Sequence, residues 1–165
     1  YCKAYLKEFN DLLGELKGKN VGIFGITAQS QADADKAVRD WGLQFQAWSD
    51  PQHKLRNYLN DEGLIDIKIS GGENSTDSGF YKVHPKIKEY KWGVAQPGVL
   101  CVNSDRKPLY AWAINPSFMN VGGASDRPVP PDIWTIVQAK MIDPDSQDVP
   151  RRLRTRGVCS LCNIL

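Results

Sequence analysis

The side chains best equipped for covalent chemistry are four cysteines, Cys2, Cys101, Cys159 and Cys162. A thiol attacks only as thiolate, so its surroundings decide what it can do. Cys2 stands at the head of a helical pattern. Over residues 3–17, Leu6, Phe9, Leu13 and Leu16 fall at helical spacing, with Tyr5 and Leu12 beside them. A thiol in the first turn of a helix meets the positive end of the macrodipole and unpaired backbone N–H groups, and both favour the thiolate. Lys3 is adjacent. Such a sulfur is a nucleophile toward peroxides and disulfides, and oxidation gives a sulfenic acid that a second thiol resolves. Cys101 lies in the apolar run Val99-Leu100-Cys101-Val102 and reads as inert core.

The other two cysteines belong to a basic tail. Arg151, Arg152, Arg154 and Arg156 precede Cys159-Ser160-Leu161-Cys162-Asn163-Ile164-Leu165. The expected role is docking on a partner protein. The last four residues also match a prenylation box loosely, and Cys159 with the polybasic run would supply the second signal that one lipid chain needs at a membrane surface. A Cys-x-x-Cys redox pair relaying electrons to Cys2 is a third reading, and a solvated tail a fourth. His53 and His84 have no partner at metal-ligand spacing, so both read as surface or packing residues and no metal is expected. Val121-Gly122-Gly123-Ala124 fits neither the phosphate-loop nor the dinucleotide pattern; it reads as a turn, and no cofactor is expected.

These groups need elements to hold them. Gly18 stops the first helix. Residues 21–26, nearly all apolar, suit a strand buried on both faces of a mainly parallel sheet. Ser30 caps a helix with Ala34, Val38 and Trp41 inward, and Gly42 ends it. Residues 43–48 read as a strand. Ser49-Asp50-Pro51 turns into a short helix with Leu55, Tyr58 and Leu59 inward and His53 at its exposed start. This alternation argues for parallel β-α-β units. Residues 71–79 read as loop and 80–92 as an irregular insertion against the sheet edge. Residues 99–102 and 109–114, joined through Asn103-Ser104-Asp105, form an antiparallel hairpin. Pro130-Pro131-Asp132 opens a last helix with Ile133, Ile136, Val137 and Met141 as its stripe.

A chain of 165 residues with a net charge of +2 is the size of one domain, and it buries a core without staples. No apolar run is long enough to span a membrane, no signal peptide is expected, and no basic stripe with interleaved aromatics points to nucleic acid. Few, scattered cysteines fit a reducing, intracellular compartment. The start at Tyr1 reads as a cut inside a longer protein. Residues 1–144 form the expected domain, and residues 145–165 the tail.

Tyr1-Cys2-Lys3-Ala4-Tyr5-Leu6 resembles the end of the Cys-x-x-Cys motif and the helix start of redoxin-domain proteins of the alkyl hydroperoxide reductase and thiol-specific antioxidant group. Trp48-Ser49-Asp50-Pro51 is similar to that family's strand end and turn. Gln96-Pro97-Gly98-Val99 looks like the proline loop facing the active cysteine, and Asp126-Arg127-Pro128 resembles the run into the last helix. The resemblance covers about residues 1–141. It implies a thioredoxin-like α/β fold, a mixed sheet flanked by helices, whose first strand is missing ahead of the first helix. It implies a peroxiredoxin-like role with Cys2 as catalytic thiol, and peroxide or a protein or small-molecule thiol as reaction partner. Gln96 and Pro97, joined by a cis peptide bond, would form the substrate-binding turn. The attacking cysteine of the family's pair would precede Tyr1. The competing expectation is a non-catalytic thioredoxin-like module within a larger, membrane-associated assembly.

Overall fold

A computed structural model describes residues 2–73, 90–115 and 126–146. Cys159, Cys162, His84, the glycines at 122 and 123 and the tail arginines lie outside the described residues. The order is α1 (Cys2–Gly18), β1 (Phe24–Thr27), α2 (Gln31–Trp41), β2 (Gln46–Ser49), α3 (Lys54–Asp61), β3 (Ile69–Ser70), β4 (Val94–Ala95), β5 (Gly98–Val102), β6 (Pro108–Ala113) and α4 (Pro130–Ile142).

Local signals set the helix ends. The Ser30 hydroxyl accepts the Asp33 N–H at 3.2 Å, and Gly42 closes α2 at φ 66°, where a residue without Cβ is unstrained. α3 is capped by Asp50, whose carboxylate accepts the N–H groups of Lys54, Leu55 and Arg56 at 2.8, 3.1 and 3.2 Å. Pro130 and Pro131 open α4, with Asp132 in its first turn.

β1 and β2 are parallel, with Phe24 opposite Gln46 and Ile26 opposite Trp48. β5 and β6 are antiparallel, with Val99 opposite Trp112. The Asn103 side chain shapes their turn by accepting the N–H groups of Asp105 and Lys107. β3 and β4 make a third, short antiparallel pair. Two apolar clusters hold α1 to these strands. One gathers Leu16 with Leu109, Ile133, Trp134 and Val137, and Val21, Ile23, Val99 and Cys101 pack against it. The other gathers Leu13 with Leu43 and Phe45, against Ile23, Val38 and Trp41. Phe9 and Ile23 belong to both, so α1 covers the β5–β6 hairpin on one side and the residues leading into β1 and β2 on the other.

Several expectations change. The apolar run at 21–26 is not a strand buried on both faces: only its last part is strand, and Phe24 and Ile26 are 56% and 47% exposed. Alternation sends Ile23 to α1 and Phe24 and Ile26 to the opposite face, where Phe24 stacks on Trp48 at 4.5 Å. No residue of α3 is buried, and Leu55 and Tyr58 point to solvent, because polar ties hold this helix. One of them runs from the Arg56 guanidinium to the Ile67 carbonyl. His53, expected at an exposed start, is 1% exposed, with Nε2 3.1 Å from the Gly93 carbonyl. Met141 is exposed; Trp134 takes its place in the α4 stripe. The described strands form three separate pairs rather than one mixed sheet.

Candidate functional site

Cys2 is the first residue of α1, and its thiol is exposed. One turn along, Tyr5 lies on the same helical face and is buried. Its ring meets Phe9 edge-on at 5.3 Å, and the Arg127 guanidinium lies over it, 4.8 Å from the centroid. Arg127 is only 3% exposed. A buried cation therefore sits under the first turn of the helix that carries Cys2, supplied by the segment entering α4. Sequence alone does not assign Arg127 to the site. The available signal was an arginine next to Pro128, just ahead of an apolar helix. Arg127→Ala is expected to lower the unfolding free energy by about 2 kcal/mol, through lost packing of the stem and the lost cation–ring contact. Urea titration checks this, and an unchanged midpoint would show that the contact contributes nothing.

Gln96 is buried and donates its N–H to the Lys68 carbonyl at 2.8 Å. The Pro97 carbonyl accepts the Ile114 N–H at 3.0 Å. These bonds carry the chain extended from β4 straight into β5. The Gln96–Pro97 peptide bond is trans, against the cis form expected, because a trans bond keeps that path extended. Among the described residues no hydrogen bond joins Cys2 to Gln96 or Pro97. A cleft of about 340 Å³ opens elsewhere, past the C-terminal ends of β1 and β2, lined by Gln29, Ser30, Asp33, Pro51, Tyr90 and Trp92. None of the expected site residues lines it.

Burial pushes the Cys101 thiol up to about 11, in keeping with an inert core residue. Across the ladder, Tyr110 is pushed up to about 12 by burial and then by the Cys101 charge. No group of three or more metal-ligating side chains exists among the described residues, and none of their helices is long and apolar enough to cross a membrane.

Residues 1–62 match the AhpC/TSA family. The AhpC/TSA match takes in α1, β1, α2, β2 and α3, and with them Cys2 and Asp50. It ends before Gln96, Pro97 and Arg127, so the roles of those residues rest on this chain's own geometry. No curated protein and no solved structure matches the chain.

Proposed function

We propose that the chain is a thiol-dependent redox protein that reduces peroxides or disulfides through Cys2. The observation that carries this reading is an exposed thiol at the first residue of α1, inside the stretch that matches the AhpC/TSA family. The chemistry balances without a cofactor. With Cys2 taking the attacking role that the resemblance gives to the cysteine ahead of it, the thiolate attacks one peroxide oxygen, the O–O bond breaks, and the other oxygen leaves with a proton as water or alcohol. A second thiol then displaces water from the sulfenic acid, forming a disulfide, and two external thiols return it to the reduced state. In this reading the two strand pairs under α1 are parts of one thioredoxin-like sheet, and Gln96 and Pro97 form a substrate-binding turn at its end. The protein works in a reducing intracellular compartment, with the tail holding it to a partner protein or, lipidated at Cys162, to a membrane surface.

The test is peroxide consumption with an excess of small-molecule thiol, in the chain and in Cys2→Ser. At least a tenfold loss in Cys2→Ser is expected. Equal rates would take Cys2 out of the chemistry. In that case the second reading gains, a non-catalytic module that binds within an assembly, for which the open apolar face of Phe24, Ile26 and Trp48 argues.

A further inference from the structure

The cleft past the C-terminal ends of β1 and β2 has two walls, each held by its own bonds. One wall is the turn from β1 into α2. Its Gln29 N–H donates to Thr27 Oγ1 at 3.2 Å, and its Gln29 carbonyl accepts the Ser49 hydroxyl at 2.6 Å. The other wall is the segment at 90–92. There the Gly93 N–H donates to the Tyr90 carbonyl at 3.0 Å, and the Glu73 N–H to the Lys91 carbonyl at 2.9 Å. Among the described residues no hydrogen bond or ion pair crosses between the walls. Each wall nevertheless carries one charge into the cleft. On the first, Asp33 Oδ2 accepts the Ser30 hydroxyl at 2.6 Å, while Oδ1 has no partner among the described residues. On the second, the Lys91 ammonium lies over the Trp92 ring, 4.5 Å from its centroid, which keeps that charge at the wall. Tyr90, Trp92 and Pro51 supply the apolar lining between them.

We propose that this cleft binds a small zwitterion, a free α-amino acid with a large apolar side chain. Its ammonium meets Asp33, its carboxylate meets Lys91, and its side chain packs on Tyr90, Trp92 and Pro51. Opposite charges that line one space without meeting are both answered by a ligand that carries both signs, whereas a simple anion or cation is repelled by one wall. Aromatic rings give a small ligand apolar contact with a defined orientation. The Gln29 carboxamide, also without a partner among the described residues, adds a neutral donor and acceptor beside the charges. A volume of about 340 Å³ is at the small end for ligand sites, which suits an amino acid. The place fits too, since open α/β layers take their ligands outside the carboxyl ends of the strands. Neither Cys2 nor Gln96 nor Pro97 lines the cleft, so the inference goes beyond the thiol chemistry and stands whether or not Cys2 reacts.

The experiment titrates the full chain with L-phenylalanine and follows the Trp92 indole N–H by nuclear magnetic resonance, the signal being assigned through Trp92→Phe. A saturable shift is expected. N-acetylphenylalanine, which lacks the ammonium, and phenylalanine amide, which lacks the carboxylate, are each expected to bind at least about tenfold more weakly, the size of one charge-assisted hydrogen bond. Alanine, with little to lay on the rings, is expected to bind weakly as well. The variants assign the two ends. In Asp33→Asn, phenylalanine and its N-acetyl form are expected to bind alike; in Lys91→Met, phenylalanine and its amide. Absence of a saturable shift at about 10 mM phenylalanine overturns the proposal. So does equal binding of the free and blocked forms by the unchanged chain, because the two charges then recognise nothing.

Discussion

Gly93→Ala is expected to destabilise the domain by about 3 kcal/mol. A Cβ at Gly93 would stand 2.2 Å from the Gly71 carbonyl oxygen, 2.7 Å from Cγ2 of Ile69 and 2.9 Å from the Ser70 carbonyl oxygen. The neighbouring backbone offers no more room, since a Cβ at Gly72 would lie 2.1 Å from the Gly93 nitrogen. Here two chain segments cross with space for hydrogen alone. Gly93 also holds φ at +87°, which costs a side-chain-bearing residue about 1–2 kcal/mol, and forcing a methyl into a packed contact costs about 1–3 kcal/mol more. The effect spreads because the Gly93 carbonyl partners the buried His53 ring, and His53 itself sits at φ 58°. Urea denaturation followed by circular dichroism measures the change. A loss below about 1 kcal/mol would mean that the crossing opens easily and fixes little.

Burial should slow alkylation of Cys101 about a hundredfold relative to the same thiol in the unfolded chain. Burial moves the Cys101 thiol from 9.0 to about 11, and that difference of two units is a factor of about a hundred in thiolate at a given pH below both values. Cys2 is exposed at the head of α1. Iodoacetamide at pH 8, followed by peptide mapping, should label Cys2 promptly and Cys101 only after urea. Similar rates in the folded protein would place Cys101 within reach of solvent. The same shift has a stability consequence. The folded state prefers the thiol more than the unfolded state does, so the contribution is complete below about pH 9 and is lost as pH rises from 9 to about 11. It amounts to something on the order of 2 kcal/mol. Cys101→Ala should flatten that alkaline loss. Tyr110, raised for the same reason, extends the decline above it.

Much of the frame was legible because it is written in local chemistry. Ser30, Gly42 and Pro130 punctuate helices by their own local chemistry, a hydroxyl acceptor, a missing Cβ and a fixed ring, and the helix ends lie at these residues. The hairpin through Asn103 was legible for the same reason. What escaped depends on remote neighbours. Nothing in the run at 21–26 tells which of its faces a helix will cover, so its pattern alone does not put Phe24 and Ile26 on the open side. The short pairing of Ile69 with Ala95 joins positions far apart in the chain and has no periodic signal. His53 is buried by Gly93, forty residues away. The position of Cys2 at a helix head is legible from the helical stripe that follows it. Arg127 was not, since its role comes from lying against Tyr5, more than a hundred positions earlier.

The stacked pair of Phe24 and Trp48 gives the protein an optical gauge of its own. One ring belongs to the first strand and the other to its neighbour, so the stack exists only while the two are zipped together. Trp48 is also the most open of the five tryptophans, 45% exposed, whereas Trp134 is sealed inside. Its emission reports separation of that pair from within, with no dye attached.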